Sequence, residues 1–376
     1  MYARFGLDLM VNHACNLSCR YCYTGKKFNR SMPESVALSA LNRAILSIQP
    51  GGSLELGFLG GEPLLESTLI LRIIAEARRR CEEARINLQF TLTTNGTITT
   101  PDAIKVMTDP ALDLAISFDG TPDIHDRHRY SAPGMGSACT VLSTIQLLQS
   151  ASKSFRVITV VRPDTLEEMP RGLRFMQHIG VDIVELNLDL WTLWTDGDLV
   201  RLEAAVAESA EAWREGLPNF GVNWFNQKTL EWTGVLQGDA AHCSFGDGEI
   251  AVAPSGNLYP CERLIGEDQP TNPMRLPGQA TDAGRFERLT PPGMNATASG
   301  PSCGLTCKCS NYIRSGHAHS PDRLLKYLDR ICMEEVQRVL TPVRVDLVQE
   351  ETPAYKHSDE SSANIKAPSR ASDSSA

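Results

Sequence analysis

The chain alternates between strand-like and helix-like segments six times within its first 215 residues, and this alternation restricts its fold more than any other feature. The strand-like segments are apolar runs at residues 5–11, 54–59, 87–94, 112–118, 155–161 and 181–188. A helix follows the first run at residues 33–49, and Pro50-Gly51-Gly52 is expected to end it. Repeated strand–helix units imply a parallel sheet. We therefore predict an α/β fold in which residues 1–215 form a partial (β/α)6 barrel of the TIM-like kind.

In such barrels, functional side chains lie on the loops that follow the C-terminal ends of the strands. The loop after the first strand carries Cys15, Cys19 and Cys22 at C-x3-C-x2-C spacing. Three thiolates on one loop can hold three corners of a cubic iron–sulfur cluster and leave the fourth iron without a protein ligand. A zinc loop or a chance grouping of thiols is the alternative interpretation, and His13 is then the nearest candidate for a fourth ligand.

The next three strand ends also carry residues that are suited to binding a ligand. Gly60-Gly61-Glu62-Pro63 follows the second strand, Asn95 follows the third, and the run from Ser117 to Arg129 begins at the end of the fourth. Two glycines allow a ligand to approach the backbone closely, and the glutamate offers a carboxylate to an ammonium group. A simple strand-to-helix turn is the alternative for the glycine segment, and Asn95 also suits a left-handed turn position.

These motifs resemble the signature of the radical S-adenosylmethionine (SAM) superfamily. In that family the three cysteines hold a [4Fe–4S] cluster whose free iron chelates SAM, and reductive cleavage of SAM yields a 5′-deoxyadenosyl radical that abstracts a hydrogen atom. Tyr21 matches the aromatic residue before the last cysteine, and a GGEP element binds the SAM amino group in this family. The S-x-D-G…H-D-x-x-R pattern implies that Ser117 and Arg129 lie near the SAM ribose and carboxylate, and a guanidinium suits a carboxylate. A solvated charged loop is the alternative for residues 125–129, and Arg127 and His128 are expected in such a loop.

The sequence pattern changes after residue 215. Residues 249–259 alternate around a Pro-Ser-Gly-Asn turn and predict a hairpin. We therefore place a second domain at residues 216–347. A disordered tail is expected at residues 348–376, because that stretch is polar and rich in serine. The cysteines beyond residue 215 are Cys243, Cys261, Cys303, Cys307, Cys309 and Cys332.

The spacing from Cys243 to Cys261 resembles the start of the C-terminal extensions called SPASM and Twitch, which bind auxiliary [4Fe–4S] clusters. The four later cysteines depart from the usual pattern in spacing and in number. Six thiols are too few for two fully thiolate-ligated clusters, so either one complete cluster or two incompletely ligated clusters are possible. Zinc is the alternative for residues 303–309. Glu262 occupies the place where sulfatase-maturing relatives have an aspartate thought to act as a general base, although it could also be a supporting or surface glutamate.

Composition narrows the possible partners and the compartment. The formal net charge of -9 argues against a general binder of nucleic acid or of anionic membranes. The sequence shows no apolar run long enough to span a bilayer and no evident export signal. Eleven cysteines in such a chain indicate metal ligands in a reducing cytoplasm rather than a disulfide framework.

The resemblance implies an enzyme that abstracts hydrogen from a peptide or protein, as a maturase that cross-links or oxidises a ribosomally made peptide. A reductant such as flavodoxin or ferredoxin would supply the electron. Because the cysteine motif begins at residue 15, we expect no precursor-recognition domain ahead of it. A sulfatase-maturing type of protein oxidase is one alternative. An iron–sulfur electron carrier or redox sensor is another, although residues 60–63 and 117–129 would be superfluous in such a protein.

Overall fold

One largely parallel sheet carries the strand ends described above. The computed structural model describes residues 1–131, 134–235, 245–287 and 307–350, and for residues 342–350 it describes only the backbone. The strands are β1 (Tyr2–Asn12), β2 (Ile48–Gly60), β3 (Asn87–Thr94), β4 (Leu112–Ser117), β5 (Arg156–Val161), β6 (Ile183–Leu188), β7 (Gly221–Val222), β8 (Glu249–Val252), β9 (Asn257–Tyr259) and β10 (Leu276–Gln279). Among the described residues they form a single sheet in the order β10-β9-β8-β1-β2-β3-β4-β5-β6-β7.

The helices lie mainly between consecutive strands, as the alternation predicts. They are α1 (Glu34–Ser47), α2 (Ser67–Ala84), α3 (Pro101–Met107), α4 (Pro122–His128), α5 (Ala138–Ser150), α6 (Met169–His178), α7 (Asp196–Gly216), α8 (Asn223–Trp232), α9 (Lys308–Ser315) and α10 (Arg323–Glu350). The N-terminus of α7 is fixed by a reciprocal capping box, in which the Thr195 side chain accepts from the Asp198 backbone and Asp198 accepts from the Thr195 backbone.

The register of the sheet explains which side chains form the core. Leu7 pairs with Leu56, Leu56 with Phe90, and all three are almost fully buried. Because side chains alternate between the two faces of a strand, the next residues along, such as Asp8 and Thr91, face the inside of the curved sheet. Full burial of each large apolar side chain contributes about 1.5–3 kcal/mol to folding, so the outer layer stabilises the scaffold while the inner face is free to carry polar residues.

The α/β class is confirmed, and the barrel is not closed. Strands β1 to β7 are parallel to their neighbours, and β8 continues the parallel sheet on the other side of β1. The predicted hairpin is present as β8 and β9, which pair antiparallel. Within the described residues, β7 and β10 remain at opposite edges of the sheet. The strands beyond residue 215 therefore extend the same sheet as the first six.

Two local expectations were wrong. Pro50-Gly51-Gly52 does not end the first helix, because α1 ends at Ser47 and β2 begins at Ile48 and includes these residues. His128 does not lie in a solvated loop, because it is the last residue of α4 and only 2% exposed. Proline at the start of α4 and apolar Ile124, buried on its inner side, favour a helix where charge alone predicted a loop.

The residues from Met1 to Val339 form one compact unit. Helix α10 continues past this unit to Glu350, and residues 351–376, which make up most of the predicted disordered tail, lie outside the described residues. No helix in the described ranges has both the length and the apolar character that crossing a membrane requires. The division into domains at residues 215 and 347 stays a prediction.

Candidate active site

The C-terminal ends of the strands and the loops after them surround a cavity of about 480 Å³. Its wall includes the following residues that the sequence singled out: Cys15, Cys19, Tyr21, Cys22, Gly60, Gly61, Glu62, Asn95, Ser117, Arg129 and Glu262. Pro63 begins the short 3-10 turn that follows Glu62 and is buried. The fold therefore gathers residues from four adjacent strand ends, and from the segment after β9, around one space.

The cysteine loop is held in place by backbone hydrogen bonds to the segment at the end of α4. Ser18 N donates to Tyr130 O at 2.7 Å, and Arg20 N donates to His128 O at 3.1 Å. These contacts join the loop after β1 to the segment that also carries Arg129. These hydrogen bonds fix the loop although it contains no helix or strand, and its thiols line the cavity.

The three thiols of this loop have different electrostatic surroundings. Burial raises the pKa of Cys15 to about 11 and also raises the pKa of Cys19. Burial has the same tendency at Cys22, but the ammonium of Lys27 outweighs it, and the pKa of Cys22 is lowered. Lys27 Nζ donates to Cys22 Sγ at 2.7 Å. Cys22 is therefore the thiol that is most readily ionised.

The two glycines after β2 are required by the close approach of the chain after β1. A Cβ at Gly60 would lie 2.5 Å from Asn12 Oδ1, and a Cβ at Gly61 would lie 2.2 Å from Ala14 O. At this approach Gly61 N donates to Asn12 O at 3.0 Å, and Glu62 N donates to Ala14 O at 2.8 Å. The glycine segment and the cysteine loop are thus bonded backbone to backbone, a contact that sequence reasoning did not anticipate.

The carboxylate of Glu62 is buried and held by three donors. Its Oε1 accepts from Leu64 N at 3.0 Å and from Thr94 Oγ1 at 2.6 Å, and its Oε2 accepts from Asn95 N at 2.7 Å. Burial raises the pKa of Glu62, and these hydrogen bonds partly oppose that effect. Since Oε2 has a single donor, it retains a lone pair for a further ligand beside the cavity.

Asp119 is the centre of a buried network, and the sequence placed it at the fourth strand end, in the S-x-D-G pattern, without assigning it a role. Its Oδ2 accepts from Tyr21 Oη and from Arg129 Nε, the latter at 3.0 Å, and its Oδ1 accepts from Val160 N at 3.0 Å. Burial alone would raise the pKa of Asp119, but Arg129 and His125 outweigh it and lower the pKa. The available signal was its place at the end of β4, in register with the other strand ends.

Hydrogen-bond partners identify the tautomer of His125, which is fully buried in the same network. Ser137 Oγ uses its single proton to donate to Arg129 O at 2.8 Å, so His125 Nε2 must donate to Ser137 Oγ at 2.9 Å. His125 Nδ1 then accepts from Asp119 N at 3.2 Å. His125 is therefore a neutral imidazole with its proton on Nε2.

We expect the stability of the fold to fall as the pH drops from about 6.5 to about 4. Burial lowers the pKa of His125 from 6.5 to about 4, against the attraction of Asp119. The imidazole of His125 therefore takes up a proton over this range in the unfolded chain but not in the folded chain. A histidine with such a shift contributes on the order of 3 kcal/mol to the free energy of unfolding above pH 6.5, and this contribution is lost by pH 4. Urea unfolding of the metal-free chain across this range measures the effect.

The variant His125→Gln should reduce that pH dependence, because it removes one of the groups that titrate differently in the two states. His13, whose pKa is also lowered to about 4 by burial, remains in this variant. His178 is exposed, and His178→Gln serves as the matched control for the loss of an imidazole. Equal slopes for the two variants would contradict this account of His125. Asp119, Arg129 and Asp126 are the charged groups that face the ring.

A second group of thiols lies next to Glu262. Cys261, Cys307 and Cys309 come together, with Cys307 Sγ and Cys309 Sγ 3.1 Å apart and Cys261 and Cys309 interacting by a hydrogen bond. That bond favours the Cys261 thiolate, but burial and the charge of Glu262 prevail and raise its pKa to about 12. Cys332 is buried in α10, where its charged neighbours are Lys228, Asp329 and Glu335 rather than thiols.

Cys243 and Cys303 lie outside the described residues. The structure therefore places three of the six later cysteines together, one apart, and leaves two without a description. Glu262 lines the cavity, and its Oε2 accepts from Cys261 Sγ at 3.0 Å. This carboxylate consequently connects the second thiol group with the cavity that the first thiol group lines.

The donor set of the cysteine loop fits an iron–sulfur cluster better than a single metal ion. In the described ranges, no three His, Cys, Asp or Glu side chains converge on a point that one metal ion could occupy. A cubic cluster makes a different demand, since each thiolate binds a separate iron at its own corner. Among the described residues that line the cavity, Cys15, Cys19 and Cys22 are accompanied by no further cysteine and no histidine.

Polar side chains on the inner face of the sheet were also missed from the sequence. Asp8, Glu55 and Glu249 line the same cavity as Glu262. Burial, followed by the charges of these three glutamates, raises the pKa of Asp8 well above its ordinary range. Gly57 makes room for Asp8, because a Cβ at that position would lie 2.0 Å from Asp8 Oδ1. Polar residues at alternate positions of otherwise apolar strands were the signal for this inner face.

Comparison with known proteins agrees with this geometry. The Radical SAM superfamily model matches residues 9–176. The serine-type anaerobic sulfatase-maturating enzyme of Klebsiella aerogenes is 23% identical over 271 residues, which are 68% of this chain and 65% of that protein. The radical SAM cyclopropyl synthase TigE of Paramaledivibacter caminithermalis is 22% identical over 282 residues, which are 69% of this chain and 58% of that protein. The chain thus spans less than two thirds of the length of these curated relatives.

Among solved structures, native anSMEcpe with bound AdoMet superposes with a TM-score of 0.69 at 17% identity, and the match covers 92% of this chain and 99% of that one. The same protein has also been solved with AdoMet and a Kp18Cys peptide. At this identity the likeness concerns the fold. The family match, together with the cysteine loop at the first strand end, shows that the chain carries a Radical SAM domain over residues 9–176.

Proposed function

We propose that this chain is a radical SAM enzyme that removes a hydrogen atom from a peptide or protein substrate, as a maturase that cross-links or oxidises a ribosomally made peptide. The observation that carries the proposal is the shared cavity, whose wall combines the three thiols of the cysteine loop with Glu62, Ser117 and Arg129. When bound, the [4Fe–4S] cluster would supply the electron that cleaves SAM to a 5′-deoxyadenosyl radical. A flavodoxin or ferredoxin in the cytoplasm would deliver that electron.

The residues around the cavity have separate roles in this proposal. Cys15, Cys19 and Cys22 hold the cluster. The free lone pair of Glu62 Oε2 accepts from the amino group of SAM, while Thr94 and the backbone keep the carboxylate in place. Ser117 and Arg129 would contact the ribose and carboxylate of SAM, and Asn95, which lines the same cavity, is a further candidate contact. Tyr21 and Asp119 act through Arg129, because they fix its guanidinium from two sides.

A peptide or protein substrate is favoured by an exposed aromatic side chain that lines the cavity and by the relatives. Trp191 lines the cavity, stacks on Tyr23 with ring centroids 5.7 Å apart, and is still 48% exposed. An exposed aromatic side chain at the edge of a cavity offers a contact surface to a large substrate. The relatives named above are a sulfatase-maturating enzyme and a cyclopropyl synthase, and anSMEcpe has been solved with a peptide.

We assign residues 216–347 to a SPASM- or Twitch-like domain that holds at least one auxiliary [4Fe–4S] cluster. The support is the approach of Cys261, Cys307 and Cys309, with Cys243, Cys303 and Cys332 as the other candidate ligands. Glu262 lies between this group and the cavity, where a carboxylate can accept a proton while the auxiliary cluster accepts an electron. That position favours a sulfatase-maturing type of protein oxidase as the second candidate function.

Formation of 5′-deoxyadenosine tests the proposal directly. We expect the chain, reconstituted anaerobically with iron and sulfide, to convert SAM to 5′-deoxyadenosine and methionine when dithionite is added, as measured by liquid chromatography and mass spectrometry. Glu262→Gln should retain this reaction, since Glu262 is not among the residues proposed to hold the cluster or SAM, but should lose formation of an oxidised peptide product. Iron bound in full amount without any 5′-deoxyadenosine would instead identify an electron carrier or redox sensor and would overturn the proposal.

A further inference from the structure

Lys27 makes a direct contact with one of the three thiols in the cysteine loop. Its Nζ donates to Cys22 Sγ at 2.7 Å and also donates to Thr24 Oγ1, and Lys27 lines the cavity. Cys15 Sγ accepts from Leu17 N at 3.4 Å and from a side-chain amide at 3.8 Å. In the described part of the chain, neither Cys15 nor Cys19 accepts a hydrogen bond from a cationic side chain. Cys22 is thus the thiol that the structure pairs with a positive charge.

The segment that carries Lys27 is anchored on both sides of it. Lys26 N donates to Glu267 Oε1 at 3.1 Å, and Arg30 forms an ion pair of 3.3 Å with Asp268. The Asp268 side chain is fully buried, and Asn257 and Tyr259 each donate to its Oδ1 at 2.8 Å. The loop after β9 therefore holds residues 26–30 in place on both sides of Lys27. The Lys27 ammonium is consequently kept in contact with Cys22 Sγ.

We propose that Lys27 is a positioning residue that raises the reduction potential of the cluster bound by Cys15, Cys19 and Cys22. This inference rests on the proposed function, because it requires that cluster. Reduction adds one electron from a one-electron donor to the cluster core, with no proton transferred and no bond broken. The added negative charge is stabilised by the nearby ammonium and by its hydrogen bond to the ligand sulfur, and hydrogen bonds to sulfur are among the factors that set cluster potentials.

The midpoint potential of the cluster, measured by a redox titration with dithionite and followed by electron paramagnetic resonance, tests this role. The titration follows the electron paramagnetic resonance signal that changes when SAM is added, so that the potential measured is that of the SAM-binding cluster. Lys27→Met should make the reduction equilibrium about tenfold less favourable, a shift of about 59 mV to more negative potential for a one-electron couple. Lys27→Arg keeps the charge and should stay near the wild-type potential. Lys26→Met removes a charge from the adjacent, exposed position and is the matched control.

The outcomes separate this inference from the proposed function. A wild-type protein with full iron content but no SAM-sensitive signal would refute the proposed function. A normal signal whose potential is the same in Lys27→Met and Lys26→Met would refute the role of Lys27 alone. Iron content is measured in every sample, and Lys27→Gln, which keeps a hydrogen-bond donor without the charge, replaces Lys27→Met if that variant binds less iron. Equal potentials for Lys27→Gln and wild type would likewise overturn a charge-based role.

Discussion

Replacing Cys15, Cys19 and Cys22 together by alanine should abolish formation of 5′-deoxyadenosine and remove about four irons from the reconstituted protein. The physical reason is that, among the described residues, no other cysteine lines the cavity and could replace these thiols as ligands. The second group of thiols, Cys261 and its neighbours, lies beside Glu262 and not in the cysteine loop. Loss of all three proposed ligands should therefore remove the cluster and not merely the activity.

The matched control for this variant is Cys139→Ala, because Cys139 is an exposed cysteine on α5 outside both thiol groups. It should keep full iron content and full activity. The iron that remains in the triple variant also counts the auxiliary clusters, with about four irons indicating one cluster and about eight indicating two. Retention of wild-type iron and 5′-deoxyadenosine by the triple variant would show that the cysteine loop is not the reducing centre.

Replacing Asp119 by alanine should lower the free energy of unfolding by about 3–5 kcal/mol and weaken SAM binding at least about tenfold. The stability loss is expected because Arg129 would remain as a buried guanidinium without its carboxylate partner, and breaking one side of a buried ion pair is costly. The affinity loss is expected because Tyr21 and Arg129, which both line the cavity, take their positions from Asp119.

Chemical unfolding and equilibrium dialysis of SAM measure these two effects. Asp119→Asn keeps the shape of the side chain and one acceptor, so it should cost less stability than the alanine variant while still weakening SAM binding. Asp182 is exposed and directly precedes β6, and Asp182→Asn is the matched control for the loss of a carboxylate. If Asp119→Ala matched that control in both measurements, Asp119 could not be the hub of the site.

The sequence predicted the positions of several residues that line the cavity, and there is a physical reason for each position or role that it did not predict. Cys15, Gly60, Asn95 and Ser117 could be placed on one edge of the sheet because parallel strands end at the same edge. Asp119 was placed at the fourth strand end, but its role was not predicted, because that role depends on Arg129 and Tyr21, whose approach is a tertiary contact. His128 was expected in solvent because a run of charged residues does not show which of its members turn inward.

The later cysteines show the limit of spacing arguments. Cys261, Cys307 and Cys309 come together, whereas Cys332, predicted as a fellow ligand, lies in α10 among Lys228 and acidic side chains. Motif spacing is sufficient to bring thiols together when they share one short loop, as Cys15, Cys19 and Cys22 do. For thiols on separate elements, the path of the chain between those elements decides which of them meet.

The sequence by itself determined the α/β class, the order of strands and helices, and the presence of a three-thiol loop at the first strand end, since these follow from local periodicity and from residues within one loop. The tertiary structure decided which groups act on that loop. The backbone contact at Gly61, the anchoring of Arg129 by Asp119, and the ammonium of Lys27 held at Cys22 all depend on how the chain curves. Such contacts depend on distances of a few ångströms between remote segments, and local sequence patterns do not encode those distances.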